Sequence, residues 1–388
     1  MKNCVGQVVR GDDFWNRLHE LASIWDAVLN GSHVLLVAPR RVGKTSIMRH
    51  MQDNPKEGYI IVYIDTESAD SENEFWHKLF NALMEEEFIG RVKKYTQKFE
   101  HILEEINIKN ISTKGVTFGD DTTVDYATAF EKLIKGLDNE IKLIIMIDEF
   151  AQTVENIIKY EDEKSAESFL RTHRALRQNT TLSKQVTFIY AGSIGLESVV
   201  SKTGATKLIN DLNSIKVKPL THKDAVAFTK LLAKSVSIDI SGDVIKELLK
   251  EIEWFIPFYI QLLIQELKTL SREQGTKTIE SKMIKEAMAM AISHQNLFAN
   301  WRSKLKDGFK KKGYLYAKEI LNIISEEDTL SSLQIQNIAS KHKLDEDYAK
   351  EIIHSLEYDG YINNNDDVKE YRFNSPLLKQ WWYKNVAN

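Results

Sequence analysis

Residues 34–48 read VLLVAPRRVGKTSIM, and this stretch decides the fold of the chain. The first four residues are apolar and predict a short buried strand, whereas Lys44, Thr45 and Ser46 open a helix. A strand, a tight loop and a helix in this order direct the loop amides and the positive end of the helix dipole to one point, which favours a bound phosphate. The loop between strand and helix consists of Ala38, Pro39, Arg40, Arg41, Val42 and Gly43.

The loop and the helix start follow the phosphate-loop pattern G-x-x-x-x-G-K-[ST], with Ala38 in place of the first glycine. In this pattern Lys44 reaches the β- and γ-phosphates, and the Thr45 hydroxyl binds Mg²⁺. We therefore predict that residues 38–46 bind ATP and that Mg²⁺ is a cofactor. An ordinary basic loop is the alternative.

A second run, IIMIDEF at residues 144–150, closes an apolar strand with two carboxylates. A continuous apolar run is typical of a central strand in a parallel sheet, and the carboxyl end of such a strand faces the ligand crevice. We predict Asp148 as a Mg²⁺ ligand beside Thr45, and Glu149 as the catalytic residue that polarises the attacking water. Taken alone, Asp-Glu after a strand is equally typical of a solvated turn.

These motifs resemble those of a known family. APRRVGKTS at 38–46 and IIMIDEF at 144–150 are similar to the motifs of P-loop ATPases in general. Three later segments are similar to the archaeal-type ATPases of the STAND group, which are relatives of the AAA+ proteins. These segments are FIYAGSIGLESVV at 188–200, IPFYIQLL at 256–263 and YRFNSPLLKQWW at 371–382. The resemblance extends from Val9 to Trp382.

The resemblance implies further contacts with the nucleotide. It places Val9 and Arg10 against the adenine. The periodicity alone favours a simple covering helix at 11–29, just after them, with Leu18 on its apolar face. It gives Ser193, at the tip of a predicted strand, the role of sensing the γ-phosphate, and the alternative is a strand-end cap. The family has a Gly-x-Pro element that touches the nucleotide, and this chain has Phe255 in place of that glycine. Pro257 is therefore either a nucleotide contact or only the first residue of a helix.

A helix predicted at residues 163–179 carries Arg171, Arg174 and Arg177, which share one face because they recur at intervals of three. In AAA+ relatives an arginine from this region acts across a subunit interface on the γ-phosphate, a task that suits a planar, permanently charged group. We predict Arg177, nearest the following strand, as this finger. The alternative is a surface helix whose arginines pair with acidic neighbours.

The order of the predicted elements indicates the architecture. Strands alternate with helices up to about residue 220, which predicts an α/β fold with a doubly wound parallel sheet, the three-layer core of a P-loop NTPase. An all-helical lid follows and then, after a basic connector at 301–313, a segment that resembles a winged helix-turn-helix with a hairpin at 361–373. The predicted domains are the ATPase core at 1–220, the helical lid at 221–300, and the connector with the winged helix at 301–388.

The composition bounds the class of protein. The chain has 388 residues with 43% hydrophobic content, enough for two or three cores. The single cysteine, Cys4, excludes an intrachain disulfide, and the ten histidines show no metal-ligand spacing. The amino terminus lacks the apolar core of a signal peptide, and no apolar run reaches the length of a membrane span, so we expect a cytoplasmic protein without membrane contact.

The sequence favours a Mg²⁺- and ATP-dependent switch ATPase, with slow turnover, that relays its nucleotide state to a protein partner in signalling or defence. The alternative is a DNA-handling regulator that uses the winged helix. Between residues 314 and 388 there are eight Lys and Arg against thirteen Asp and Glu, a balance of −5, so we expect only nonspecific DNA contact and a protein partner for this domain. The resemblance also implies a nucleotide-dependent homo-oligomer.

Overall fold

The computed structural model describes residues 1–85, 88, 90, 108–112, 115–118, 126–137, 140–192, 195–201, 203–364 and 369–388. These residues form two compact units. The first, which we call the core unit, consists of Asn16–Ala38 and Lys44–Val217. The second, which we call the C-terminal unit, consists of Met1–Trp15, Pro39–Gly43 and Lys218–Asn388. The predicted lid and winged helix thus fall in one unit, and their division at residue 300 stays a prediction.

The core unit is built on a parallel sheet of five strands in the order β2-β5-β6-β1-β7. This confirms the predicted α/β fold with a parallel sheet. A separate antiparallel pair, β3 and β4, lies outside that sheet. The strands are β1 (Val34–Val37), β2 (Tyr59–Asp65), β3 (Ile108–Ser112), β4 (Gly115–Phe118), β5 (Lys142–Asp148), β6 (Val186–Ala191) and β7 (Asn213–Lys216).

Helices of the core unit connect these strands and supply most of its aromatic side chains. In the middle of the sheet, Ile144–Ile147 of β5 are entirely buried, as expected for a strand with both faces covered. Phe75, Phe130 and Phe150 pack into the same hydrophobic core. The helices are α1 (Leu18–Leu29), α2 (Lys44–Asp53), α3 (Glu72–Leu83), α4 (Tyr126–Gly136), α5 (Phe150–Tyr160), α6 (Glu163–Gln178) and α7 (Leu196–Ser201).

Two elements differ from the sequence prediction. The helix expected at 11–29 begins only at Leu18, because Asn16 and Arg17 have positive φ angles of 58° and 79°, which no right-handed helix contains. Leu18, expected on its buried face, is exposed. Helix α5, directly after the acidic pair, is absent from the prediction, although its apolar residues at 150, 154 and 157 follow helical spacing.

The C-terminal unit is mainly helical and contains two small sheets. Strands β8 (Asp239–Ile240) and β9 (Thr278–Ile279) form a short parallel pair within the region predicted as all-helical. Strands β10 (Leu330–Ser331), β11 (Ile362–Asn363) and β12 (Glu370–Phe373) form an antiparallel sheet in the order β10-β12-β11. The predicted hairpin is thus present, and its turn at 365–368 lies outside the described residues.

Nine helices are described in the C-terminal unit, beginning with α8 (His222–Ser235). The predicted basic connector is not a linker, because its residues belong to the end of one helix and the start of the next. The other helices are α9 (Gly242–Ile252), α10 (Pro257–Glu273), α11 (Ser281–Ser293), α12 (Gln295–Gly308), α13 (Lys311–Glu327), α14 (Ser332–Lys341), α15 (Glu346–Tyr358) and α16 (Pro376–Trp382). None of the helices in the described ranges combines the length and apolar character needed to cross a bilayer.

Candidate active site

The lysine of the predicted phosphate loop lies inside the core unit at the start of α2. The side chain of Lys44 is largely buried, and its Nζ donates a hydrogen bond of 2.9 Å to the carbonyl of Ala38, where the loop begins. Gly43 has a φ of +104°, a conformation that favours glycine and turns the chain into the helix. The ammonium group is thus held back toward the strand end, where the phosphate loop needs its charge.

Thr45 and Asp148 come together although they are 103 residues apart in the chain. The Thr45 hydroxyl, in the first turn of α2, donates a hydrogen bond of 2.6 Å to Oδ2 of Asp148 at the end of β5. Asp148 is 3% exposed. A hydroxyl and a carboxylate are both hard oxygen ligands, so this pair fits a cation such as Mg²⁺ that takes few ligands from the protein and others from phosphate and water.

Two further groups orient the carboxylate of Asp148. The hydroxyl of Tyr63, on the neighbouring strand β2, donates a hydrogen bond of 3.0 Å to Oδ2, the same oxygen that accepts from Thr45. The backbone N–H of Glu149 donates a hydrogen bond of 3.1 Å to Oδ1. Burial, assisted by the neighbouring carboxylates of Asp148 and Asp65, raises the pKa of Tyr63, so its hydroxyl remains a donor. Sequence reasoning missed Tyr63.

Glu149 stands at the turn between β5 and α5 with a left-handed backbone, φ 58° and ψ 30°. Non-glycine residues with positive φ are uncommon and carry strain that the surroundings must hold. Here the backbone carbonyl of Glu149 accepts from Thr153 N at 3.1 Å, and its N–H is held by Asp148. The second carboxylate of the pair is half-buried at a point where the chain changes direction.

A chain of buried hydroxyl groups holds the end of β5 against the segment after β2. Thr66 donates to the backbone carbonyl of Asp148 at 3.0 Å, and Thr153 of α5 donates to Oγ1 of Thr66 at 2.7 Å. One turn further on, Asn156 donates to the carbonyls of Glu67 and Ala69. These contacts form because β2 and β5 lie side by side, which the sequence does not show. The sequence indicated only Thr66, a polar residue directly after a mainly apolar strand.

Residues 39–43 of the phosphate loop belong to the C-terminal unit, and Arg41 contacts another helix of that unit. The guanidinium of Arg41 lies 3.9 Å from the ring centroid of Phe258 in α10, a cation–π contact. Its Nη1 is buried and has no hydrogen-bond partner among the described residues. Arg41 also has a positive φ of 62°. Burial lowers the pKa of its guanidinium, yet an arginine stays charged at any physiological pH.

Arg177, predicted as an arginine finger, does not suit that role. Its side chain is buried, and Nε and Nη2 donate to the two carboxylate oxygens of Asp211 at 2.7 and 2.9 Å. A third hydrogen bond goes from Nη1 to the hydroxyl of Tyr190. A side chain held by a bidentate ion pair inside its own subunit cannot reach a neighbouring one, so Arg177 is a structural residue. On the same helix Arg171 is exposed and Arg174 is half-buried.

Three further residues predicted to contact the nucleotide lie in the C-terminal unit. Val9 is half-buried, Arg10 is exposed, and both precede a short 3₁₀ helix, Gly11–Asp13. Pro257 is the first residue of α10, where its missing N–H costs nothing. Ser193 lies outside the described residues. Their nucleotide contacts remain predictions.

A buried lysine at the start of a helix after β1, a threonine–aspartate pair and a parallel sheet together define a P-loop nucleoside triphosphatase. A family model described as an ATPase domain predominantly from Archaea matches residues 14–252, more than half of the chain, and the chain belongs to this family. It is an ATPase, and binding and hydrolysis of ATP are the chemistry of its class. No curated protein matches it significantly.

Solved structures share the fold over nearly the whole chain. The Walker-type ATPase paby2304 of Pyrococcus abyssi is 17% identical with a TM-score of 0.68, and the match covers 98% of this chain and 99% of that one. The ORC2 protein of Aeropyrum pernix, solved as ADPNP-ADP complexes, is 10% identical with a TM-score of 0.54 and coverage of 96% and 95%. At these identities the likeness is one of fold alone.

Proposed function

We propose that the chain is a Mg²⁺-dependent switch ATPase of the STAND group, whose nucleotide state is relayed to a partner. The observation that carries the metal-dependent part is the 2.6 Å contact between Thr45 and Asp148. In the described ranges no group of three or more His, Cys, Asp or Glu could hold a metal on its own. This fits Mg²⁺, which usually binds one or two protein oxygens together with the phosphates of its nucleotide.

Each residue of the site has a role in this proposal. Lys44 exchanges the Ala38 carbonyl for the β- and γ-phosphates. Thr45 and Asp148 hold Mg²⁺, which when bound neutralises charge on the phosphates. Glu149 orients the water that attacks the γ-phosphate, because phosphoryl transfer depends on positioning and charge neutralisation more than on covalent help.

Replacement of the lysine tests the site. Lys44→Ala removes charge-assisted hydrogen bonds that are individually worth about 1.5–3 kcal/mol, and we expect it to abolish ATP binding measured by calorimetry. Lys164→Ala, which removes an exposed lysine at the start of α6, is the matched control and should bind ATP like the original chain. If Lys44→Ala binds ATP as tightly as its parent, the site is wrongly assigned.

We further propose that helices α13, α14 and α15 with the sheet β10-β12-β11 form a winged helix that docks a protein. Helix α15 would be its recognition helix. Exposed carboxylates lie at its start, because Asp345 is the N-cap and Glu346 and Asp347 belong to the first turn, and exposed Glu351 follows one turn later. Carboxylates at this end would repel the phosphates that supply most nonspecific DNA affinity, so a protein partner with a basic surface fits better.

The second candidate is a DNA-handling regulator, and one observation favours it. Lys310, Lys311 and Lys312 are exposed at the start of α13, and Arg302 and Lys306 are exposed on α12. DNA binding by the full chain, measured from low to physiological salt, separates the two candidates. Weak binding that disappears at physiological salt agrees with the protein-docking proposal. Sequence-selective binding that survives physiological salt and is lost on charge reversal in α15 would establish the second candidate instead.

A further inference from the structure

Tyr63 contacts one residue of α2 and one of β5, the two elements that carry the predicted metal ligands. Its hydroxyl donates to Oδ2 of Asp148 at 3.0 Å, and its ring lies under the guanidinium of Arg49, 3.5 Å from carbon to ring centroid. Arg49 and Thr45 are four residues apart on α2, so they lie on the same face of that helix. Thr45 in turn donates to Oδ2 of Asp148. The four side chains therefore form a chain of contacts that starts at Arg49 on α2, passes through β2 and β5, and returns to α2 at Thr45.

In the proposed function the Thr45 hydroxyl binds Mg²⁺ through a lone pair of its oxygen, which leaves its proton for the hydrogen bond to Asp148. The orientation of the Asp148 carboxylate then depends on all the groups that donate to it. Among the hydrogen bonds described here, Tyr63 supplies the other side-chain donor to Oδ2, and the N–H of Glu149 holds Oδ1. Arg49 keeps the tyrosine ring in place and, through its charge above the ring, favours a polarised hydroxyl.

We propose that Tyr63 is a positioning residue that holds the carboxylate of Asp148 in the orientation that binds Mg²⁺, and that Arg49 supports it. The inference rests on the proposed function, because it assumes that Asp148 is a metal ligand. Groups of this kind, which hydrogen-bond to a ligating carboxylate, typically change metal affinity about 10–100-fold when they are removed. Tyr63 does not touch the nucleotide in this proposal, so its loss should leave metal-free nucleotide binding unchanged.

The test measures metal affinity directly, without turnover. Mn²⁺ is titrated by electron paramagnetic resonance into the full chain saturated with ADP, and ADP affinity in EDTA is measured by calorimetry. For Tyr63→Phe we expect roughly ten-fold weaker Mn²⁺ binding or more, and no change in ADP affinity in EDTA. Tyr59→Phe, on the same strand, where the Tyr59 ring meets that of Trp25 edge-on, is the matched control and should change neither quantity.

A second variant tests the support by Arg49 and keeps the tyrosine. Arg49→Gln removes the cation above the ring and should weaken Mn²⁺ binding roughly two- to five-fold, as expected for a lost cation–π contact. Mn²⁺ affinity equal to that of the original chain would remove Arg49 from the proposal.

Asp148→Asn separates failure of the inference from failure of the proposed function. If Asp148→Asn weakens Mn²⁺ binding and Tyr63→Phe does not, the role of Tyr63 is overturned and the metal site stands. If neither variant changes Mn²⁺ binding while ADP still binds, Asp148 is not the metal ligand, and both proposals fail. If Tyr63→Phe weakens ADP binding in EDTA as strongly as Mn²⁺ binding, its role is general support of the site and the inference is overturned.

Discussion

Glu149 occupies a strained position that suits a water-orienting carboxylate, and its charge can be removed with little change of shape. Glu149→Gln keeps the left-handed turn and the N–H that binds Asp148, so we expect ATP binding within about two-fold of the original value. Hydrolysis should fall roughly 10²–10⁴-fold, the usual contribution of a positioned acid–base group. Calorimetry and phosphate release measure the two quantities. Normal hydrolysis would show that another group orients the water.

His33 links β6 to α6 in the neutral form. Its Nδ1 accepts from the N–H of Phe188 at 3.0 Å, so Nε2 carries the proton and donates to the carbonyl of Arg177 at 3.1 Å. Burial lowers the pKa of His33, and the nearby charge of Arg177 lowers it further, against the raising effect of the hydrogen bond to its carbonyl. Burial also places the pKa of His173, which contacts Tyr190, well below its usual value.

Acid should therefore weaken the core unit. Because the folded pKa values lie below that of an unfolded histidine, about 6.5, the unfolded chain binds more protons below this pH, and stability falls as pH decreases. Each histidine lowers the free energy of unfolding by up to about 1.4 kcal/mol for each pH unit below about 6.5, until the pH reaches its pKa in the folded protein. Urea midpoints at pH 7.5 and 5.5 should show a smaller pH effect in His33→Gln. His19→Gln, at an exposed position, is the control, and equal pH effects in all three chains would contradict the prediction.

At the scale of elements, Gly360 ends α15 where no larger residue fits. Its φ is +87°, and an added Cβ would lie 2.6 Å from Cη2 of Trp254 and 3.0 Å from Cβ of Pro39 in the phosphate loop. All three residues belong to the C-terminal unit. The C-terminal unit therefore packs closely around Pro39, the second residue of the loop.

Gly360→Ala should destabilise the C-terminal unit by about 2–4 kcal/mol, because overpacking adds about 1–3 kcal/mol to a backbone cost near 1 kcal/mol. Gly275→Ala is the matched control, since Gly275 also has a positive φ, +64°, but an added Cβ there meets nothing within 4 Å. It should show the backbone cost alone. Equal urea midpoints for the two variants would mean that the contact with Trp254 and Pro39 adjusts at no cost.

At the scale of the whole molecule, we expect ATP to promote self-association, as the family resemblance implies. An arginine of one subunit would then act on the γ-phosphate bound by its neighbour. Arg174 is half-buried on α6, where its Nη1 donates to Oδ1 of Asn210 at 3.1 Å and its charge acts on the carboxylate of Asp211. Arg171, in contrast, pairs with Glu167 at 2.6 Å. With Arg177 buried, Arg174 is the arginine of this helix that we expect to act across an interface.

Sedimentation with ATP should show association, and Arg174→Ala should lower turnover without weakening ATP binding. In a mixed assembly Arg174→Ala should restore activity to Glu149→Gln, because each variant supplies the group that the other lacks. Arg171→Ala is the control and should hydrolyse normally. A chain that stays monomeric with ATP and hydrolyses at its full rate would remove the idea.

The sequence predicted correctly those features that are formed by residues close together in the chain. Strand β1, the loop and α2 follow one another, and the apolar run of β5 ends in its carboxylates, so local order indicated the class of protein and the parallel sheet. The helix at 11–29 failed because apolar spacing carries no signal for the left-handed backbone of Asn16 and Arg17.

The remaining features depend on which strands and helices lie side by side. Tyr63 reaches Asp148 because β2 pairs with β5, and nothing within β2 distinguishes this tyrosine from Tyr59. Arg177 shares its helix face with Arg174, yet it is buried because Asp211, from a distant segment, meets it there. Residue type and spacing therefore specify which chemistry the chain carries, whereas strand pairing and burial decide which side chains are free to perform it.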